Sequence, residues 1–135
     1  MIIGVPKEIK LQEHRIGLTP ESVKALTDRS HEVLVENNGG FEAGFTNDDY
    51  LKAGAKIIKT PEEIFKKADL IVKVKEPQMK EVEMIREGQI IYTYLHLAAA
   101  KELTLGLMKS KSICIAYETV TDDNGRLPLL APMSA

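Results

Sequence analysis

The chain has no tryptophan, one cysteine and few aromatic residues of any kind, and each scarcity removes a class of function. With aromatics at 5%, there is little from which to build a platform that stacks unpaired bases. Charge points the same way: 18 lysines and arginines against 20 aspartates and glutamates leave a formal charge of −2, so no basic field recruits a phosphate backbone. The single cysteine, Cys114 in the apolar run "SICIAY", cannot close an internal disulfide. That predicts a reducing, cytoplasmic setting with Cys114 as a small core residue. No apolar run reaches the roughly 20 residues that a membrane-spanning helix needs, and "MIIGVPKEIK" puts no basic segment ahead of a long apolar stretch.

What is present reads as one ordinary globular domain over residues 1–135, with 44% hydrophobic and 28% charged residues. Short β-rich runs alternate with amphipathic helical patterns, the signature of a parallel α/β sheet. Candidate strands are "IIGV" (2–5), "EVLVE" (32–36), "AKII" (55–58), "DLIVKV" (69–74), "GQIIYTYL" (88–95) and "SICIAYE" (112–118). Several are apolar at nearly every position, as strands covered on both faces are. The expected fold is a three-layer, doubly wound, mostly parallel Rossmann/flavodoxin-like sheet.

Helix signals fall between the strands. "TPESVKALTDRS" opens with Thr19 as N-cap, Pro20 at the first helical position and Glu21 in the first turn. "TPEEIFKKA" repeats the device with Thr60 and Pro61. "NDDYLKAG" begins at Asn47 and closes on Gly54, and "PQMKEVEMIREG" and "AAAKELTLGLMKSK" complete the alternation. The end, "GRLPLLAPMSA", turns Pro-rich, and its last residues "PMSA" look like the opening turn of a helix that does not develop before Ala135.

In an open parallel sheet, ligands bind outside the carboxyl ends of the strands. The loop after the first strand holds Lys7, Lys10, His14 and Arg15; the fourth strand runs out through Lys73, Lys75 and Glu76; the fifth delivers His96, and the sixth Tyr117 and Glu118. An Arg, a Lys, a His and a Glu from strands distant in sequence are thus expected at one edge. Arginine offers a planar fork to a carboxylate, lysine a point charge to a carbonyl oxygen, and histidine a proton near neutrality. Such a set suits a small 2-oxo or 2-amino acid. Lys75, lying further beyond the strand end than Lys73, is the one expected to enter the crevice. The plainer readings stay open here: Arg15 as a solvated loop residue, either lysine as the charged end of a strand, Glu118 as an ion-pair partner, and His96, in the apolar run "IIYTYLHLAAA", as a core histidine.

Other motifs are weaker. Gly39, Gly40 and Gly44 in "ENNGGFEAGF" do not form G-x-G-x-x-G, so a surface loop is expected rather than a phosphate cradle. His14 and His31 have no partner at metal-ligand spacing, and no G-x-S-x-G is present.

Four separated stretches, "MIIGVPKEIKLQEHRIGLTPESV", "KVKEP", "YTYLHLAA" and "AYETV" with "LPLLAPMSA", resemble in order and spacing the N-terminal domain of bacterial alanine dehydrogenases. That group also includes the alpha subunit of proton-translocating nicotinamide nucleotide transhydrogenase. The resemblance implies reversible oxidation of L-alanine to pyruvate and ammonium with NAD, this domain supplying the substrate half of an interdomain cleft. It implies that Arg15 and Lys75 hold the carboxylate and carbonyl side of the substrate and that His96 is the acid/base. It further implies Tyr94 and Met133 at the pocket wall, Glu118 beside it, Ser134 near the cofactor pyrophosphate, and a homo-oligomer. The histidine of "YLHLAA" favours the dehydrogenase branch over a transhydrogenase alpha subunit, which exchanges hydride between nucleotides without protonating an amino acid. Family members continue past "PMS" into an NAD-binding domain with a catalytic aspartate. These 135 residues contain no such domain, so the chain alone is expected to be inactive. A stand-alone module for 2-oxo acids and an assembly domain remain the alternatives.

Overall fold

Thr-Pro pairs mark two of the helix starts. The computed structural model describes residues 1–95 and 101–117. In it Thr19 Oγ1 accepts from the Ser22 N–H at 3.2 Å and Thr60 Oγ1 from the Glu63 N–H at 3.4 Å, satisfying donors that a helix leaves open at its first turn. The helices they open are α1, Pro20–Thr27, and α3, Pro61–Lys67. Between them α2, Asn47–Lys52, starts at the residue its sequence suggests. Thr46 is its cap and forms a capping box with Asp49, while the Asn47 side chain braces the preceding loop at Asn37 and Asn38.

Six strands alternate with these helices: β1 Ile2–Val5, β2 Glu32–Glu36, β3 Lys56–Ile58, β4 Leu70–Val72, β5 Ile90–Thr93 and β6 Ile113–Ala116. They form one sheet in the order β3-β2-β1-β4-β5-β6, and every pair is parallel. The doubly wound α/β fold expected from the alternation is the one observed. Parallel neighbours need crossovers, and the helices supply them on both faces. Ile3 and Val5 of β1 and Val33 and Val35 of β2 point to one side, where they pack with Val23 of α1 and Tyr50 of α2. Leu34, Ile71 and Ile91 point to the other, against Ile64 and Phe65 of α3 and Leu103 and Leu107 of α5, Lys101–Ser110. Each fully buried side chain of this size contributes about 1.5–3 kcal/mol, so the two apolar layers hold the sheet in place. Cys114 is half-buried against the second layer and carries a free thiol.

Several elements are shorter than their sequence suggests, β5 and β6 among them, and for two the reason is visible. The strand expected over 69–74 ends at Val72, because the N–H groups of Val74 and Lys75 turn away from the sheet toward a carboxylate of the β1 loop. The helix expected over 77–88 is a single turn, α4, Met79–Val82. Beyond it, Arg86 and Gln89 are drawn to the open carbonyls at the end of α3: both side chains donate to Phe65 O and Ala68 O, at 2.6–3.0 Å. Capping a neighbour's carbonyls competes with prolonging the helix. Among the described residues, no helix is long and apolar enough to cross a membrane.

Gly4, in the middle of β1, lets α3 lie directly on the sheet. A Cβ there would stand 2.5 Å from Ile64 Cγ2 and 2.9 Å from Ala68 Cβ, so a side chain forces helix and strand apart. Gly4→Ala is therefore expected to destabilise the chain by about 1–3 kcal/mol, as core overpacking does. Urea unfolding measures it; a midpoint equal to that of the unaltered chain would mean that α3 does not sit this close.

Candidate active site

The chain winds one way from β1 through β2 to β3 and the other way from β4 to β6, so the connections diverge between the adjacent strands β1 and β4. At such a switch point the loops leaving the two strands part and leave a crevice. Here those loops are residues 6–19, after β1, and 73–78, after β4.

Gly17 brings the two together. A Cβ on it would lie 2.5 Å from the Val72 carbonyl oxygen and 2.9 Å from its carbon, so the β1 loop rests on the backbone at the end of β4. Ile16 is buried in the first apolar layer, which anchors the loop from below. Arg15 is thereby held over the sheet edge. Its Nε and Nη2 donate to the two oxygens of Glu13 at 3.0 and 2.7 Å, and its backbone N–H adds a third bond at 2.9 Å. Half of the arginine side chain stays exposed while that of Glu13 is buried. Among the described residues the outer edge of the guanidinium, Nη1 and the second Nη2 hydrogen, carries no bond, leaving a planar fork for another carboxylate.

Lys75 is fixed from several directions. Its N–H donates to Glu8 Oε1 at 3.0 Å, its carbonyl accepts from Thr93 Oγ1 at 2.7 Å, and its Nζ lies 5.3 Å from the centroid of the Tyr94 ring. Tyr117, leaving β6, donates to the carbonyl of the preceding Val74. The loop after β4 is thus stitched to the exits of β1, β5 and β6. The charge of Lys75 also reaches Glu13, as that of Arg15 does. The hydrogen bonds from Arg15 are the largest cause holding the Glu13 carboxyl down at about 2, against an opposing effect of burial.

Lys73 stands apart from this solvated edge. It is 2% exposed, and its Nζ sits 3.1 Å from Glu8 Oε1 and 3.1 Å from Glu81 Oε2. It is neither a free strand end nor a crevice residue. Burial pushes the Glu81 carboxyl up, with Lys73 pulling the other way.

Three comparisons bear on this arrangement. The model of the family described as "Alanine dehydrogenase/PNT, N-terminal domain" matches residues 4–135. The chain belongs to this family. It is 50% identical over 134 residues to the alanine dehydrogenase of Halomonas elongata and 48% identical to that of Methanococcus maripaludis. In both cases the match covers 99% of this chain and 36% of the relative, so the chain spans about a third of these relatives' length. Its fold superposes on a solved L-alanine dehydrogenase with a TM-score of 0.96 at 48% identity, covering 99% of this chain and 37% of that one. A transhydrogenase from Sinorhizobium meliloti is more distant, with a TM-score of 0.81 at 27% identity over 87% of this chain and 35% of that one.

Of the residues that the sequence points to, Arg15, Lys75 and Tyr94 lie together at the carboxyl edge of this alanine dehydrogenase/PNT N-terminal domain. His96, Glu118, Met133 and Ser134 fall outside the described residues. Lys10 and His14, of the same loop, are taken up by Glu76 and Glu42. The glycine-rich stretch after β2 forms a turn and a short 3-10 helix, Phe41–Ala43. The residues that sequence reasoning missed are acidic. Glu8, Glu13 and Glu81 were legible only indirectly, since a lysine directly behind the apolar run of β4 has to find carboxylates to be buried.

The strand order is that of a dinucleotide-binding sheet, yet the described residues do not fit the pyrophosphate of NAD. No glycine turn links β1 directly to α1, and Thr19 caps that helix itself. The loop after β1 instead carries the buried carboxylates Glu8 and Glu13.

Glu13 offers a check on the site in solution. Its carboxyl lies below its ordinary 4.5, at about 2, so the stabilisation from Arg15 is full above about pH 4.5 and is lost as pH falls through about 2. The side-chain carbon resonance of Glu13 should titrate near 2, and the Glu13→Gln chain should lose less stability than the unaltered chain over that acid range. A midpoint at 4.5 would mean that the pair does not form.

Proposed function

We propose that this chain is the substrate-binding part of an NAD-dependent L-alanine dehydrogenase, which interconverts L-alanine, NAD and water with pyruvate, ammonium and NADH. The observation that carries the reading is the convergence of Arg15 and Lys75 at the β1/β4 switch point, next to Tyr94 and without a cradle for phosphates. The outer edge of the Arg15 guanidinium takes the substrate carboxylate. Lys75 donates to the oxygen on the adjacent carbon, favouring the carbonyl form as charge develops there. His96, on the family resemblance, exchanges the proton in the amine and carbonyl steps; Tyr94 and Met133 line the pocket, with Glu118 beside it and Ser134 toward the cofactor. NAD is held by the part of the complete protein that this chain does not span, and the chain by itself does not turn over. A cytoplasmic setting and a homo-oligomeric complete enzyme belong to the same reading.

The test is a titration of the chain with pyruvate and, separately, with NADH, followed by NMR. Pyruvate is expected to move signals of Arg15, Lys75 and Tyr94, and NADH to move none. Losing a hydrogen bond to a charged group is worth about 1.5–3 kcal/mol, so Lys75→Met and Arg15→Lys should each weaken pyruvate about 10-fold or more. Unchanged affinity in both variants would remove these residues from the site. Adding the dinucleotide-binding half of a relative should then restore NADH-dependent turnover, with His96→Ala abolishing it; binding without any turnover would make the chain a stand-alone 2-oxo acid module.

A further inference from the structure

Two carboxylates, Glu8 and Glu81, hold the buried Lys73 of the β4 loop, and Glu8 is bound in a way that ion pairing alone does not explain. Its side chain is 1% exposed and accepts three bonds at once: from Lys73 Nζ at 3.1 Å, from the Val74 N–H at 3.1 Å and from the Lys75 N–H at 3.0 Å. Two of its three donors are consecutive backbone amides of the segment that carries Lys75. We infer that Glu8 is a positioning residue for Lys75, holding the backbone of the β4 loop so that the ammonium of Lys75 and the guanidinium of Arg15 keep one spacing. The inference rests on the reading of Lys75 as a substrate-binding residue.

Stability does not account for the cluster. Replacing a buried ion pair or triad by apolar side chains of similar volume is often neutral or stabilising, so a Lys73–Glu8–Glu81 arrangement asks for another reason. Position supplies it. Beyond Val72 the sheet no longer pairs the Val74 and Lys75 amides, and Glu8, arriving from the exit of β1, satisfies both. Lys73 in turn holds the Glu8 carboxylate in place, and Glu81 holds the far side of Lys73 while accepting from the Gln78 N–H at 2.9 Å. The cluster thereby ties the loop after β1, which bears Arg15, to the loop after β4, which bears Lys75. A carboxylate and its neighbouring carbonyl are one bond apart, so two cations that bind them together tolerate little drift in spacing. Thr93 and Tyr117 hold the same two residues by their carbonyls, so losing Glu8 frees the amide side without unfolding the loop.

A pair of ligands separates positioning from general damage. Pyruvate presents a carboxylate and a carbonyl, whereas propionate presents only the carboxylate that Arg15 takes. In the full chain, Glu8→Gln is expected to weaken pyruvate about 10-fold, to leave propionate within about 2-fold, and to move the Val74 and Lys75 amide proton shifts upfield as the bonds to an anion are lost. Lys75→Met should erase the preference for pyruvate over propionate. If Lys75→Met erases that preference while Glu8→Gln retains it, the positioning role is overturned and the substrate site stands. If Lys75→Met itself retains it, the reading of the site fails, and the inference with it. Should Glu8→Gln not fold, the triple variant Glu8→Met, Lys73→Met, Glu81→Gln replaces the cluster with apolar volume and keeps an acceptor for Gln78. The same loss of preference is expected of it, and its retention would equally overturn the proposal.

Discussion

A lysine side chain at 2% exposure needs polar partners to replace the water it has given up, and the structure is gathered around supplying them to Lys73. Glu8 comes from the loop after β1 and Glu81 from α4, so one buried charge draws three separate segments to the end of β4. The strand stops where it does because the next two amides belong to Glu8 and not to the sheet. Removing the ammonium alone would leave two buried carboxylates without a counter-charge, so the three residues form one unit.

That unit sits beneath a surface of opposite character. Arg15 and Lys75 reach toward solvent from the two loops that the buried cluster ties together, and each is oriented by a neighbour that leaves its outward side available: Glu13 on the inner edge of the guanidinium, the Tyr94 ring under the ammonium. The close approach of Gly17 to Val72 keeps the first loop pressed against the second. Rigid support below and open donors above are what a site for a small anionic substrate requires, because affinity and alignment then come without reordering the protein on binding.

The sheet order is one that elsewhere carries dinucleotides, and here the edge has its own furnishing: the loop after β1 carries the buried carboxylates Glu8 and Glu13, each paired with a cation, and Thr19 caps α1 itself. The family model that matches the chain describes an N-terminal domain. A sheet architecture thus says where a ligand sits, and the side chains decide which ligand it is.

Much of this was readable in the residues. Strand order along the chain, Thr-Pro helix starts, apolar runs covered on both faces and the gathering of Arg15 and Lys75 at one edge all follow from local patterns and from the geometry of parallel sheets, which act over a few residues at a time; Tyr94 came from the family resemblance. Only the tertiary structure decided that α4 stops after one turn, that Lys73 is buried and that Glu8, Glu13 and Glu81 pair with Lys73 and Arg15. Those outcomes depend on pairings such as Glu8 with Lys73 and Arg86 with the end of α3, between residues far apart in sequence. A charge shows in the sequence which partners it could take; which one it takes is settled by the packing that brings them within reach.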